Sequence, residues 1–265
     1  MKIQHIISTM NRQEFSFMEK LGLKAEALVV NQNCPEKQEE IFLLDDIKVK
    51  VLSTSEKGLS RSRNMLLENS WADVCIIGDD DVEYLDGYLE SIENAYKKYA
   101  DADIIIFRFT HEKGKETRAR FTEDVKVTMQ NVSKFASVEI TFKRKSVIDA
   151  EVRFNNNIGL GTPFPSGEEN AFLADALRAG LKIYHVPVTI CVAEEDMKIN
   201  EGYNVNEYLT DKGASFYCIY KSAFPVYAAA FILLKKKTLF KDVSIFRALN
   251  LMFKGRKKYK KSVKE

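Results

Sequence analysis

The sequence predicts an α/β fold with a mostly parallel central sheet flanked by helices, and three observations carry the prediction. Short apolar runs such as Ile3 to Ser8, Asp73 to Ile77 and Asp103 to Thr110 alternate with segments of helical spacing. Runs that are apolar on both faces mark strands buried between two layers. The composition, 45% hydrophobic and 29% charged over 265 residues, is that of a globular chain able to bury a core without staples.

The elements follow in order. Ile3 to Ser8 reads as a buried strand and Glu14 to Gly22 as a helix ending near its glycine. Ala27 to Val30 is a second strand, stopped by Asn31-Gln32-Asn33-Cys34-Pro35, and Lys48 to Leu52 is a third. Leu59 to Ser70 is a helix, Asp73 to Ile77 a strand ended by Gly78, and Tyr84 to Ala100 a helix with apolar residues at Leu85, Tyr88, Leu89, Ile92 and Tyr96. Asp103 to Thr110 and Val138 to Phe142 are strands, and the charged stretch His111 to Lys126 between them is a surface loop or a pair of short edge strands. Asn155 to Gly167, rich in Asn, Gly and Pro, is a loop. Glu168 to Ala179 is a helix closed by Gly180, and Lys182 to Val192 holds one or two strands around Pro187.

Beyond about Ser215 the composition turns aromatic, apolar and basic. This divides the chain into a domain over residues 1–215 and a helical, basic amphipathic tail over 216–265. From Lys235 to Glu265 there are 12 Lys+Arg against 2 Asp+Glu, a net of +10, which leaves −8 on residues 1–234. An acidic body with a basic tail suggests an anionic partner. The first ten residues do not have the pattern of a signal peptide, and no apolar run reaches the 18 or so residues of a membrane span. Four scattered cysteines suggest neither a zinc site nor a disulfide framework, which fits a reducing cytosol.

In parallel sheets ligands bind beyond the carboxyl ends of the strands, which points to Ser8–Arg12, Asn31–Cys34 and Gly78–Asp81. The triplet Asp79-Asp80-Asp81 needs compensation for its mutual repulsion, and a divalent cation supplies it. Gly58-Leu59-Ser60-Arg61-Ser62-Arg63-Asn64 enters a helix with two arginines, a setting for phosphate. Gly167-Glu168-Glu169-Asn170 opens a helix. A carboxylate there serves either as a general base or, with Ser166 and Glu169 in capping-box spacing, as a helix cap; the fragment by itself favours the cap.

Taken in order, Ile6-Ile7-Ser8-Thr9-Met10-Asn11-Arg12, Gly58 to Asn64, Ile76-Ile77-Gly78-Asp79-Asp80-Asp81-Val82 and Gly167 to Asn170 resemble the motifs of family 2 glycosyltransferases of the GT-A fold, over roughly residues 1–215. The resemblance implies transfer of a sugar from a nucleotide-diphosphate donor, a UDP-sugar, to a hydroxyl of a glycan or lipid-linked acceptor, with inversion. Thr9, Asn11 and Asn31 would lie around the nucleoside, with Asn31 where the family usually has Asp. Arg61 and Arg63 would line the diphosphate. Asp79, Asp80 and Asp81 would form the DXD region, with Asp81 and Asp79 holding Mn²⁺ or Mg²⁺ and Asp79 also near the ribose. Glu169 would be the general base and Glu168 its companion. The family's metal- or phosphate-binding His has no counterpart in Ile190 to Glu195, and His185 reads as a partly buried strand-end histidine.

The resemblance and the basic tail together imply cell-surface polysaccharide synthesis by a cytoplasmic enzyme, peripheral on the inner face of the plasma membrane. The tail would meet anionic lipid, since a basic amphipathic helix lies in an interface, the alternative being a helix packed on the domain and followed by a solvated basic end. No base-reading module is visible, so no nucleic-acid partner is expected. The competing reading is a non-catalytic nucleotide- or glycan-binding module with a degenerate site.

Overall fold

The computed structural model describes residues 1–113, 121–193 and 204–264. Glu194, Glu195 and part of the charged stretch after His111 lie outside the described residues.

Four strands form a parallel core: β1 (Ile3–Met10), β2 (Ala27–Gln32), β4 (Ile47–Ser53) and β5 (Val74–Asp79), with β3 (Gln38–Leu44) antiparallel on the outer edge of β4. Between them runs α1 (Leu59–Asn69). After β5 come β6 (Val82–Tyr84), α2 (Tyr88–Lys98), β7 (Ile104–Thr110), β8 (Val125–Lys126), β9 (Ile140–Lys143), α3 (Arg144–Asp149), α4 (Glu168–Arg178) and β10 (Ile183–Ala193). The strand order is β3-β4-β2-β1-β5-β9-β7-β10-β6, with β8 beside β10. β9 inserts antiparallel between β5 and β7, while β7 and β10 pair in parallel. The parallel strands sit as expected, and antiparallel strands make the whole sheet mixed.

Period-2 alternation sorts the strands' side chains between two layers. Ile6, Leu28, Cys75, Ile77, Ile104 and Ile106 face one layer, with Leu66 and Leu67 of α1 and Phe172 and Leu173 of α4. Ile7, Val29, Val51, Ile76, Ile105 and Phe107 face the other, with Met18 and with Tyr88 and Ile92 of α2. Each fully buried aliphatic side chain contributes about 1.5–3 kcal/mol.

Two helices differ from the sequence reading. Glu14 to Gly22 forms only a short 3-10 turn over Ser16–Lys20, although Met18 and Leu21 are buried and Phe15 and Phe17 pack against the core. Tyr84, expected to open a helix, ends β6 instead, and α2 starts only after Gly87, whose φ is +77°. The β3–β4 hairpin is not among the strands expected: β3 carries the apolar run Ile41 to Leu44, yet as an edge strand it alternates between exposed and half-buried residues.

The chain closes with α5 (Val205–Tyr220), α6 (Phe224–Lys235) and α7 (Ile245–Ser262). Asn204 caps α5 and Ser244 caps α7, each side chain accepting from a first-turn amide. Val205–Lys235 is long and apolar enough to cross a membrane by length and composition alone. It turns at Lys221, where φ is +48°, and Leu209, Ala214, Cys218 and Ile219 of α5 are buried in the domain core. Residue 215, the boundary drawn from composition, falls inside α5.

α5 and α7 cross with their backbones in near contact. A Cβ on Gly213 would lie 2.1 Å from the Met252 carbonyl oxygen, and one on Gly255 would lie 1.7 Å from that of Thr210. Only glycine permits this approach. The buried face of α7, formed by Ala248, Met252, Gly255 and Tyr259, is therefore occupied by the domain.

Candidate active site

The register of the parallel strands brings the motifs together at their carboxyl ends. Ser8 pairs with Asp79, Thr9 with Asn31, and Asn31 with Ser53. β5 ends at Asp79, so Asp80 and Asp81 form the turn into β6.

Arg63 stands beneath this edge. It projects from α1 and is 1% exposed, with one nitrogen donating to Asp79 Oδ1 at 3.0 Å and the other to Glu168 Oε1 at 2.8 Å. Its guanidinium also lies over the Phe154 ring, 5.7 Å from the centroid. Ser137 donates to the second oxygen of Asp79 at 3.1 Å. Arg63 was expected to line the diphosphate. It is instead buried below the acids and fixes two of them.

Asp80 is held separately. Thr9 Oγ1 donates to its Oδ2 at 2.5 Å, and Arg12 Nη2 donates to the same oxygen at 2.9 Å. Arg63 and Arg12 thus compensate much of the charge of Asp79 and Asp80 within the protein, so the triplet tolerates its own repulsion with or without a cation. Asp81 is exposed at the turn.

The asparagines shape the loop after β1. Asn31 is 1% exposed; its Oδ1 accepts from the Arg12 amide at 3.1 Å and its Nδ2 donates to the Arg12 carbonyl at 2.8 Å. Both ends of the side-chain amide are committed, so Asn31 clamps the backbone rather than presenting itself to a base. Asn11, at φ +56°, accepts from Asn33 Nδ2 at 2.9 Å. Arg61 is exposed on α1 and lines a small recess with Gln32, Thr54, Glu56, Gly58, Ser62 and Met65. The start of α1 is partly covered by the loop before α4: Leu59 N donates to the Leu160 carbonyl at 3.0 Å, and Ser60 Oγ to that of Ile158 at 2.5 Å.

At the α4 junction the capping-box reading gives way. The N-cap is Gly167, at φ +95°, with no side-chain cap, and Ser166 offers its carbonyl to Ser215 Oγ at 2.5 Å. Freed from capping, Glu169 accepts from Asn170 Nδ2 at 2.6 Å. Burial, reinforced by the like charge of Glu168, raises its pKa to about 8, while Arg63 and Lys212 oppose the rise. Lys212 lies on α5, one turn before Ser215. Burial lowers its pKa, and the two glutamates partly offset that.

Arg12, Ser137 and Lys212 are the site residues that sequence reading missed. Arg12 closes the Ile6 to Arg12 segment, just after β1. Lys212 stands directly before the buried stretch Gly213 to Phe216 of α5, and that position was its only signal. His185 is 3% exposed, with Nδ1 at 3.0 Å from the Ile106 carbonyl and Phe121 and Phe135 against its ring.

Among the described residues no group of three or more His, Cys, Asp or Glu side chains is placed to hold an ion. The donors near the edge are carboxylate oxygens, and exposed Asp81 beside partly exposed Asp79 fits a hard cation that takes one or two carboxylates and completes its shell from substrate phosphates.

Solved structures of similar shape include S. aureus TarS 1–349 in complex with UDP-GlcNAc, with TM-score 0.62, 14% identity, and coverage of 91% of this chain and 74% of that one. Another is the mannosyltransferase PcManGT from Pyrobaculum calidifontis in complex with GDP-Man and Mn²⁺, with TM-score 0.56, 12% identity, and coverage of 97% and 86%. A longer TarS structure matches at TM-score 0.61 and 14% identity over 91% of this chain, which spans 45% of that chain's length. At these identities the likeness is one of fold. No curated protein sequence matches the chain. The Glycosyl transferase family 2 profile matches residues 19–181, more than half of the sequence. With a GT-A-like sheet carrying its acids at the strand ends, the chain belongs to glycosyl transferase family 2.

Proposed function

We propose that this glycosyltransferase transfers a sugar from a nucleotide-diphosphate donor, a UDP-sugar, to a hydroxyl of a glycan or lipid-linked acceptor with inversion. The observation that carries the reading is Glu169, a carboxylate at a loop–helix junction beside Glu168, which Arg63 ties to Asp79 at the strand ends. Glu169 takes the proton of the acceptor hydroxyl as that oxygen bonds to the anomeric carbon. The bond from that carbon to the diphosphate oxygen breaks on the opposite face, and the nucleoside diphosphate leaves. A base with a pKa near 8 is matched to proton transfer close to neutral pH.

Glu168, anchored by Arg63, keeps the junction in register with the strand ends. Arg12 and Thr9 hold Asp80, and so the shape of the β5–β6 turn. Asp81, with Asp79, would hold Mn²⁺ or Mg²⁺, which stabilises the negative charge growing on the departing diphosphate. Exposed Arg61 is offered to the donor. Asn11 and Asn31 act through the Arg12 loop that borders it.

Membership of the family and the basic tail support a place in cell-surface polysaccharide synthesis at the inner face of the plasma membrane. The test is nucleotide release from a panel of nucleotide sugars, with Mn²⁺, Mg²⁺ or chelator, with and without acceptor. Metal-dependent release from one donor supports the reading and names the sugar. Silence across the panel, together with absent nucleotide binding, returns the chain to a binding module.

A further inference from the structure

α7 cannot lie in a lipid interface by its buried face, because Ala248, Met252, Gly255 and Tyr259 pack against the domain. Most of the exposed large apolar side chains among the tail's described residues collect elsewhere, with Val226, Phe253 and Val263 lying apart from them. Leu233 and Leu234, at the end of α6, are 62% and 79% exposed, and Phe246, in the first turn of α7, is 83% exposed; Leu239 and Ile245 between them are also exposed. α6 and α7 form an antiparallel pair, with Phe224 against Phe253 at one end and Phe231 against Phe240 near the other, so these side chains share the elbow over residues 233–246. Lys236 closes the elbow on itself by donating to the Phe240 and Lys241 carbonyls.

The charge along the elbow is mostly of one sign. Residues 233–247 hold Lys235, Lys236, Lys237, Lys241 and Arg247 against Asp242, while residues 1–234 carry a net of −8. Exposed leucines and a phenylalanine ringed by lysines match a layer with an apolar interior and an anionic face. A protein partner would need its own acidic rim around an apolar pocket, whereas an anionic bilayer offers both along its whole surface, and the acidic body is repelled from that surface. We infer that the α6–α7 elbow is the membrane-docking surface: Leu233, Leu234 and Phe246 enter the headgroup boundary, and Lys235, Lys237 and Lys241 engage anionic lipid. At the other end of α7, Asn155 Nδ2 donates to Tyr259 Oη at 2.7 Å, tying the helix to the loop before α4. The helix rise places the elbow about 20 Å from that contact. The inference gives the proposed acceptor reading its location, but its test is binding and is separate from turnover.

The experiment is co-sedimentation of the full chain with vesicles of phosphatidylcholine alone and of phosphatidylcholine with about 30 mol% phosphatidylglycerol. Wild type should bind the anionic vesicles and be released at about 0.5 M salt. Two triple variants, Leu233→Ser/Leu234→Ser/Phe246→Ser and Lys235→Gln/Lys237→Gln/Lys241→Gln, should each bind at least about tenfold more weakly. Their denaturation midpoints and donor hydrolysis should match wild type, since all six positions lie outside the candidate site. Wild type left in the supernatant with both vesicles, or either variant binding as wild type does, overturns the inference. A concentration-dependent dimer lost in Phe246→Ser assigns the elbow to a second copy and overturns it equally. Loss of turnover with vesicle binding intact would count against the proposed function alone.

Discussion

Arg63 Nη1 donates to Glu168 Oε1 at 2.8 Å, joining two residues 105 positions apart, while its second nitrogen holds Asp79 at 3.0 Å. One buried cation thus sets the spacing between the β5 turn and the α4 junction. Arg63→Met leaves buried Glu168 without its partner and should lower stability by about 3–5 kcal/mol. Arg63→Lys keeps the charge but not the two-pronged geometry and should fall between. Urea midpoints of the three proteins check this; equal midpoints would remove Arg63 as the organiser.

The raised pKa of Glu169 predicts a pH dependence with a definite sign. The base must be deprotonated, so turnover should rise with pH through about 8 and level off above it. Lys212→Met removes a cation that favours the carboxylate, and the limb should move to higher pH, while Lys212→Arg should leave it near wild type. Stability runs the other way. A carboxyl raised from 4.5 to about 8 favours the folded state while protonated, so its contribution is complete below about pH 4.5 and is lost as pH rises through 8. Glu169→Gln should flatten that slope in denaturation curves taken across the range.

For the cation, chelator should reduce nucleotide release by at least about tenfold, and Asp81→Ala should mimic it. Asp80→Asn should act differently, because it releases Arg12 and Thr9 and loosens the turn. Release indifferent to both chelator and Asp81→Ala would remove the metal from the account.

The α5–α7 crossing is tested by Gly255→Ala. Alanine gains about 1 kcal/mol of helix propensity over glycine, yet its Cβ would fall 1.7 Å from the Thr210 carbonyl oxygen. Overpacking against rigid backbone should win, with a net loss of about 1–3 kcal/mol in denaturant melts. A stabilised variant would mean that α7 does not sit there.

The parallel strands were legible because each is a run of apolar residues buried on both sides. Leu28, Val29 and Val30 leave no other reading. β3 was not, since its side chains are half exposed and its partner β4 supplies the pattern. At the site, residue types were legible and their partners were not. Asp79, Asp80 and Glu168 could be picked out as acids, but that Arg63 and Arg12 neutralise three of them depends on contacts across 16 to 105 residues. Ser166 and Glu169 had capping-box spacing, and only the left-handed Gly167 between them shows that the helix starts later. The tail's amphipathic pattern allows both a lipid-facing and a domain-packed helix, and Gly255 and Met252 turn part of it toward α5.

The proposed reaction turns on Glu169 taking the acceptor's proton. Its most direct test is nucleotide release by wild type and Glu169→Gln with the donor that the panel identifies, alongside donor affinity measured by calorimetry. Turnover should fall by about 10²–10⁴-fold with donor affinity unchanged. Turnover retained in Glu169→Gln with normal donor binding would contradict it.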